Sequence, residues 1–246
     1  MAGPRIHVAA TLVAAAEITL PEGASRHVAG ALRLREGAAL RLFDGEGHEA
    51  EADIVSVGRR EVRVRVTAVT EGGTESPLAV HLGQAISKGD RMDYAIQKAT
   101  ELGVAAITPL YTEHGDVRLK GDREAKKLAH WQAVAVSACE QCGRSRVPSV
   151  HPPQTLNAWL AARDEALRLV LHPATDTAWQ HASGITRAAL LVGPEGGLSP
   201  AEIDAAYTAD FAALTLGPRI LRTETAPVAA LTLLQHYFGD LTYAQY

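Results

Sequence analysis

Two stretches carry residue types that could do chemistry. LLVGPEGGLS, Leu190 to Ser199, places three glycines within five residues. Without Cβ atoms their backbone N–H and C=O groups can approach a ligand, and Pro194 stiffens the loop. LGPRILRTETA, Leu216 to Ala226, sets Arg219 and Arg222 three apart beside Glu224. A guanidinium offers a rigid fork of donors for a phosphate or a base edge, and a carboxylate can orient it or accept a proton. Read alone, the second stretch is equally a salt-bridged turn ahead of a helix.

Other candidate motifs are weaker. GEGHEA, Gly45 to Ala50, meets the loose pattern G-x-G-x-x-A, but a dinucleotide site needs a helix next, and EADIVSV reads as a strand. CEQCGR, Cys139 to Arg144, falls at a predicted helix C-terminus, whereas reactive thiols gain from a helix N-terminus. Its polar members Glu140, Gln141, Arg144 and Arg146 could hold a phosphate or a base edge. The histidines lack zinc-hydrolase spacing, a second cysteine pair is missing, and neither a P-loop nor a G-x-S-x-G elbow occurs.

The elements that must position these loops follow from periodicity. EVRVRVTAV puts Val62, Val64, Val66 and Ala68 on one strand face, and Asp44-Gly45 marks a hairpin turn in RLFDGEGHEAEADIVSV. TEGGTESP, Thr70 to Pro77, is a polar, Gly-rich passage suited to a boundary, which predicts domains over 1–72 and 77–246. Beyond it strands alternate with helices. LAVHLGQAI, VAAITPLY, LRLVLHP, ALLVGP and FAALTLGP are strand candidates. Asp90 with Asp93 resembles an N-cap pair, a longer helix spans about Glu124 to Cys142, Ser199-Pro200-Ala201-Glu202 is a capping box, and Thr225 with Pro227 repeats its logic. The pattern implies an α/β fold with a mostly parallel sheet, whose ligands sit beyond the carboxyl ends of the strands: after Leu171, Val192 and Leu216.

Bulk properties narrow the class. A chain of 246 residues, 47% hydrophobic and 21% charged, predicts a folded soluble protein. The net charge of −4 argues against coating nucleic acid through bulk charge. Positive charge is local: the balance is +2 over residues 76–150, against −2 before and −4 after. Two cysteines, no signal-peptide pattern and no apolar run of about 18 residues predict a cytoplasmic protein with neither disulfide scaffold nor membrane span.

LVGPEGGLSPAEI followed by TLGPRILRTETAPVAAL resembles the bacterial 16S ribosomal RNA uracil-N3 methyltransferases, the RsmE-like branch of the SPOUT superfamily. PRI, HVAGALRLREG, LFDGEG, QKATELGVAAITPL, WQAVAVSACEQCGRSRVP and LVLHP resemble that family's segments in order, so the likeness covers nearly the whole chain. It implies an N-terminal PUA-like β-barrel for RNA, then a trefoil-knotted SPOUT methyltransferase domain. It further implies a homodimer that uses S-adenosylmethionine and no metal, methylating N3 of a uridine in 16S rRNA, within the 30S subunit.

Carried onto this chain, the resemblance implies a cofactor pocket of Leu171, His172, Gly193, Pro194, Glu195, Gly196, Gly197, Leu216, Gly217, Ile220 and Leu221. A side chain added at Gly196 is expected to block it. Arg222 is expected beside the target base, with Glu224 orienting it or taking the proton. Arg5, Arg33, Glu140 and Arg144 are the expected RNA contacts. Two rivals stay open: a SPOUT enzyme acting on another base or a ribose 2′-hydroxyl, and a non-catalytic RNA-binding factor with a cofactor pocket.

Overall fold

The structure, a computed structural model, describes residues 3–59, 61–172 and 182–241. They form two compact units, Met1–Glu75 with Val136–Val147, and Ser76–Ala135 with Pro148–Tyr246. The division at Glu75 falls inside the polar passage, and residues 136–147 go with the first unit. The Pro173 end of LRLVLHP lies outside the described residues.

In the first unit β1 (Arg5–His7) pairs parallel with β3 (Ala39–Phe43). β3, β4 (His48–Val57) and β5 (Val62–Glu71) run antiparallel, and β2 (Glu17–Thr19) pairs antiparallel with β5. The sheet is mixed, in the order β1-β3-β4-β5-β2. β1 and β2 end its ladder, so among the described residues the hydrogen bonding does not close as in the expected barrel. α1 (Glu22–Arg26) and a π turn, His27–Ala31, add Val28 to a core with Ile6, Leu42, Ile54 and Val64.

GEGHEA is the β3–β4 turn, where Asp44 Oδ1 accepts from the N–H groups of Glu46 (2.7 Å) and His48 (3.0 Å). In EVRVRVTAV the valines at 62, 64 and 66 are buried as predicted, but Ala68 is exposed. Glu51 opposes Ala68 and Ala52 opposes Val66, leaving Thr67 as an extra residue. Such a bulge moves the following side chains to the other face, so Val69 packs against the core instead.

The second unit holds a wholly parallel sheet. Its strands are β6 (Ala79–Ala85), β7 (Val104–Tyr111), β8 (Ser149–Val150), β9 (Gln154–Thr155), β10 (Leu167–Leu171), β11 (Arg187–Val192) and β12 (Ala212–Leu214). The order is β12-β10-β11-β6-β7-β8, with β9 also on β7. Helices cover such sheets, which is why Ala188 to Val192 are all buried and β11 reads as a continuous apolar run.

The helices are α2 (Arg91–Glu101), α3 (Asp122–Cys142), α4 (Leu156–Ala161), α5 (Pro200–Thr208) and α6 (Thr225–Phe238). Both arms of the Ser199/Glu202 capping box are present at α5. The other two starts differ from expectation. Asp90 occupies the N-cap of α2 in a helical conformation and makes no side-chain cap bond, while Asp93 bonds His130 (2.6 Å). At α6 the N-cap is Glu224, and the N–H groups of Thr225 and Ala226 reach back to the Arg222 carbonyl, each at 2.9 Å.

The chain path matters for the site. β12 lies at the sheet edge beyond β10, yet α6 packs on α2, the helix after β6. Residues 215–224 therefore return from the edge past β10 and β11 to β6.

Candidate active site

The loops after β10, β11 and β12 meet at the carboxyl ends of their strands, where a cavity of about 920 Å3 opens. Leu171, His172, Gly193 to Gly197, Leu216, Gly217, Ile220 and Leu221, the positions expected to hold a cofactor, all line it. Arg222 and Glu224 line it as well. Ile220 belongs to the rim, with its side chain fully exposed.

Backbone geometry explains the glycines. Gly197 (φ +74°) closes a turn in which its N–H donates to the Pro194 carbonyl (2.9 Å), and Gly217 (φ +79°) opens the final loop. Residues with a Cβ are strained at such angles. At Gly196, however, an added Cβ would lie 3.1 Å from the His114 Cβ, so a side chain there presses on His114. The expected block at Gly196 thus has a protein neighbour to displace first.

Hydrogen bonds tie the loops together. The His172 N–H donates to the Leu214 carbonyl (3.2 Å), and Thr215 Oγ1 donates to the His172 carbonyl (3.1 Å). Thr223 Oγ1 donates to the Gly193 carbonyl (3.0 Å), and Arg91 Nη1 meets Glu195 Oε1 at 2.7 Å. His172 Nδ1 and Glu224 Oε2 are buried without a hydrogen-bond partner among the described residues. Buried polar atoms are normally paired, so two orphans on one cavity wall suit a polar ligand. Among the described residues Glu224 Oε2 has no hydrogen-bond partner, so that oxygen does not orient Arg222.

Thr215, Thr223, Arg219 and Arg91 also line the cavity. Thr223 has a local signal, its place between Arg222 and Glu224 in the sequence. Arg91, the first residue of α2, carries no local signal, because its partner Glu195 is 104 residues away.

The expected RNA contacts lie in the first unit and fare unequally. Arg33 is exposed, with φ +53°. Arg144 is only 5% exposed, and its Nε and Nη2 both donate to Glu75 Oε2, at 3.1 and 2.8 Å. Arg5 bonds the Arg144 carbonyl (3.1 Å), pairs with Glu49 (2.9 Å) and lies over the Phe43 ring. Glu140 Oε1 accepts from the His7 N–H (3.1 Å). Arg5, Glu140 and Arg144 thus brace the unit in this conformation, since a guanidinium held by a carboxylate must leave it to reach a phosphate.

Cys139 is buried, which pushes its thiol up to about 12, the mark of an inert rather than a reactive cysteine. Among the described residues no group of three or more His, Cys, Asp or Glu is placed to hold a metal ion, and no helix is long and apolar enough to cross a membrane.

Residues 74–235 match the family model of an RNA methyltransferase domain, and residues 20–67 that of an RNA methyltransferase PUA domain. The chain is 36% identical to the ribosomal RNA small subunit methyltransferase E of Buchnera aphidicola from Schizaphis graminum, over 97% of this chain and 98% of the relative. Against the enzyme of that name from Bacillus subtilis the identity is 31%, over 85% and 86%. Among solved structures, the Neisseria gonorrhoeae ribosomal RNA small subunit methyltransferase E bound to S-adenosylmethionine superposes with a TM-score of 0.89. It is 37% identical, and the match covers 98% of this chain and all of the other. A Legionella pneumophila protein solved with bound S-adenosylmethionine gives a TM-score of 0.95 at 42% identity, over 98% of this chain and all of the other.

Proposed function

This chain belongs to the RNA methyltransferase family of the ribosomal RNA small subunit methyltransferases E, and from that premise we propose that it transfers a methyl group from S-adenosylmethionine to N3 of one uridine in 16S rRNA. The observation that carries the reading is the cavity framed by three strand-end loops, with His172 Nδ1 and Glu224 Oε2 buried in its wall and unpartnered among the described residues.

The residues fit the cofactor. A cavity of about 920 Å3 is within the range of small-molecule sites. Leu171, His172, Gly193 to Gly197, Leu216, Gly217, Ile220 and Leu221 would hold it, largely through backbone groups. When bound, S-adenosylmethionine supplies a methyl group made electrophilic by its sulfonium.

The remaining chemistry falls to the protein. Neutral uracil carries a proton on N3 and is a poor nucleophile there, so the site must take that proton or stabilise the anion. Arg222 stabilises negative charge developing on the uracil oxygens. Glu224 Oε2, buried and without a donor among the described residues, accepts the N3 proton. Holding base and methyl donor in line supplies a further rate advantage.

The return of residues 215–224 from the sheet edge to β6 supports a trefoil-knotted SPOUT domain over 77–246. The PUA match supports an RNA-positioning domain over 1–72, with exposed Arg33 meeting phosphate. Arg5, Glu140 and Arg144 set the shape of that RNA-facing unit. Exposed Tyr94 and Tyr237, on the packed helices α2 and α6, together with Ile220 at the cavity rim, support a homodimer. We place its substrate in the 30S subunit, in the cytoplasm. Incubation with methyl-labelled S-adenosylmethionine and small subunits tests the reading: label enters 16S rRNA, and cofactor binding without any transfer would contradict it.

A further inference from the structure

Thr223 lies between the two proposed catalytic side chains but is turned away from solvent, only 6% exposed. A hydroxyl has one proton to give and lone pairs to receive. Thr223 Oγ1 gives its proton to the Gly193 carbonyl (3.0 Å) and receives from Gln84 Nε2 (3.3 Å), with Ser87 Oγ 3.5 Å away. Gln84 is fully buried on β6, and its Nε2 also donates to the Ala85 carbonyl (3.3 Å), which fixes the direction of the amide. One hydroxyl therefore joins three segments: the end of β6, the start of the glycine-rich loop, and the final loop.

The neighbouring backbone makes this junction consequential. Gly217 to Ile220 are exposed, and the final loop is anchored at one end by Thr215 on His172 and at the other by the first turn of α6. A displacement of about 1 Å at a reacting group can cost on the order of a hundredfold in rate. We propose that Thr223, held by Gln84, is a positioning residue that sets Arg222 and Glu224 against the cofactor loop. The proposal rests on the methyltransferase reading for its kinetic consequence, and on the hydrogen bonds alone for its structural one.

Thr223→Val keeps the shape and removes the hydroxyl; Thr223→Ser keeps the hydroxyl; Gln84→Met removes the donor behind it. Thr223→Val is expected to lower the methyl-transfer rate, at saturating cofactor and RNA, about a hundredfold. The cofactor Kd should stay within an order of magnitude, and Thr223→Ser should restore most of the rate. Gln84→Met should move the rate the same way, and the double variant Thr223→Val/Gln84→Met should be no slower than the slower single, since both break one junction. A wild-type rate in either single variant overturns the proposal, as does a serine variant as slow as the valine one, or fully additive losses. Should Thr223→Val fail to fold, Gln84→Met and Thr223→Ser carry the decision.

Amide hydrogen exchange over residues 215–224 reads the junction without substrate. Faster exchange in Thr223→Val, reversed in Thr223→Ser, is expected, and unchanged exchange in Thr223→Val overturns the proposal. If the wild-type protein transferred no methyl group, the proposed reaction would fall while the exchange result still decided the junction.

Discussion

Arg91 Nη1 lies 2.7 Å from Glu195 Oε1, so the first residue of α2 meets the glycine-rich loop after β11 at the wall of the cavity. Both side chains are about 40% exposed, at 41% and 40%, which limits the pair's worth to stability. Solvent-exposed ion pairs contribute about 1 kcal/mol or less and weaken with salt. Arg91→Ala is therefore expected to leave the melting temperature nearly unchanged. It should weaken cofactor binding severalfold at low salt, because the loop loses a tether, and less so at high salt. Calorimetric titration with S-adenosylmethionine at two ionic strengths checks this, and an unchanged Kd at both would show that the pair does not position the loop.

Arg222 and Glu224 are assigned separate jobs, so their variants should differ. Arg222→Ala is expected to lower kcat about 10²–10³-fold, the usual loss of a donor to a developing oxyanion, while the cofactor Kd changes less than about tenfold. Glu224→Gln keeps the size but not the proton acceptor. Its rate should recover in part as pH rises, because uracil N3 then loses its proton unaided. Rates measured across pH for both variants test the division, and a flat profile for Glu224→Gln would remove its role as base.

His81 gives the second unit an acid-sensitive point. Its Nδ1 accepts from Arg163 Nη1, Nε2 faces Thr108 Oγ1 at 2.7 Å, and its ring stacks on His151. Burial first, then the Arg163 guanidinium and His151, hold it down at about 3 against an ordinary 6.5. Between those values the unfolded chain binds a proton that the folded chain does not. The contribution is whole above pH 6.5 and is lost as pH falls toward 3, at up to about 1.4 kcal/mol per pH unit for one proton. Denaturant titrations from pH 7 to about pH 4 should show a shallower decline for His81→Gln than for the wild type. Equal slopes would mean that His81 is not the group responsible.

Arg144 and Arg33 should separate stability from RNA contact. Arg144→Ala leaves Glu75, only 22% exposed, without its guanidinium and should cost about 2–3 kcal/mol. Arg33→Ala should leave the melting temperature near that of the wild type, weaken binding to 16S rRNA, and reduce the slope of log K against log salt by about one. Thermal melts and binding at several salt concentrations check both, and an unstable Arg33→Ala with an unchanged salt slope would reverse the assignment.

The strand-end loops were legible because each rests on local sequence: Gly-Pro after an apolar run, and Ser199 with Glu202 for α5. Local sequence locates the three loops, whereas the individual cavity-lining positions within them come from the resemblance to the methyltransferase family. What escaped depends on partners far along the chain. Arg91 finds Glu195, Thr223 finds Gln84, and Arg144 finds Glu75, pairings that no spacing announces. Ala68 departs from the alternation for a different reason, since a bulge at Thr67 is set by the register of β4 against β5 and not by β5 itself. Thr225 ahead of Pro227 has the composition of a cap, but the chain turns one residue earlier, on Glu224.

The central claim is the atom that receives the methyl group. Small subunits lacking their 16S rRNA methylations, incubated with this protein and labelled S-adenosylmethionine, can be digested to nucleosides and read by mass spectrometry. The account predicts labelled 3-methyluridine from one position of 16S rRNA. Label on a ribose or on another base, or none from a protein that binds the cofactor, would contradict it.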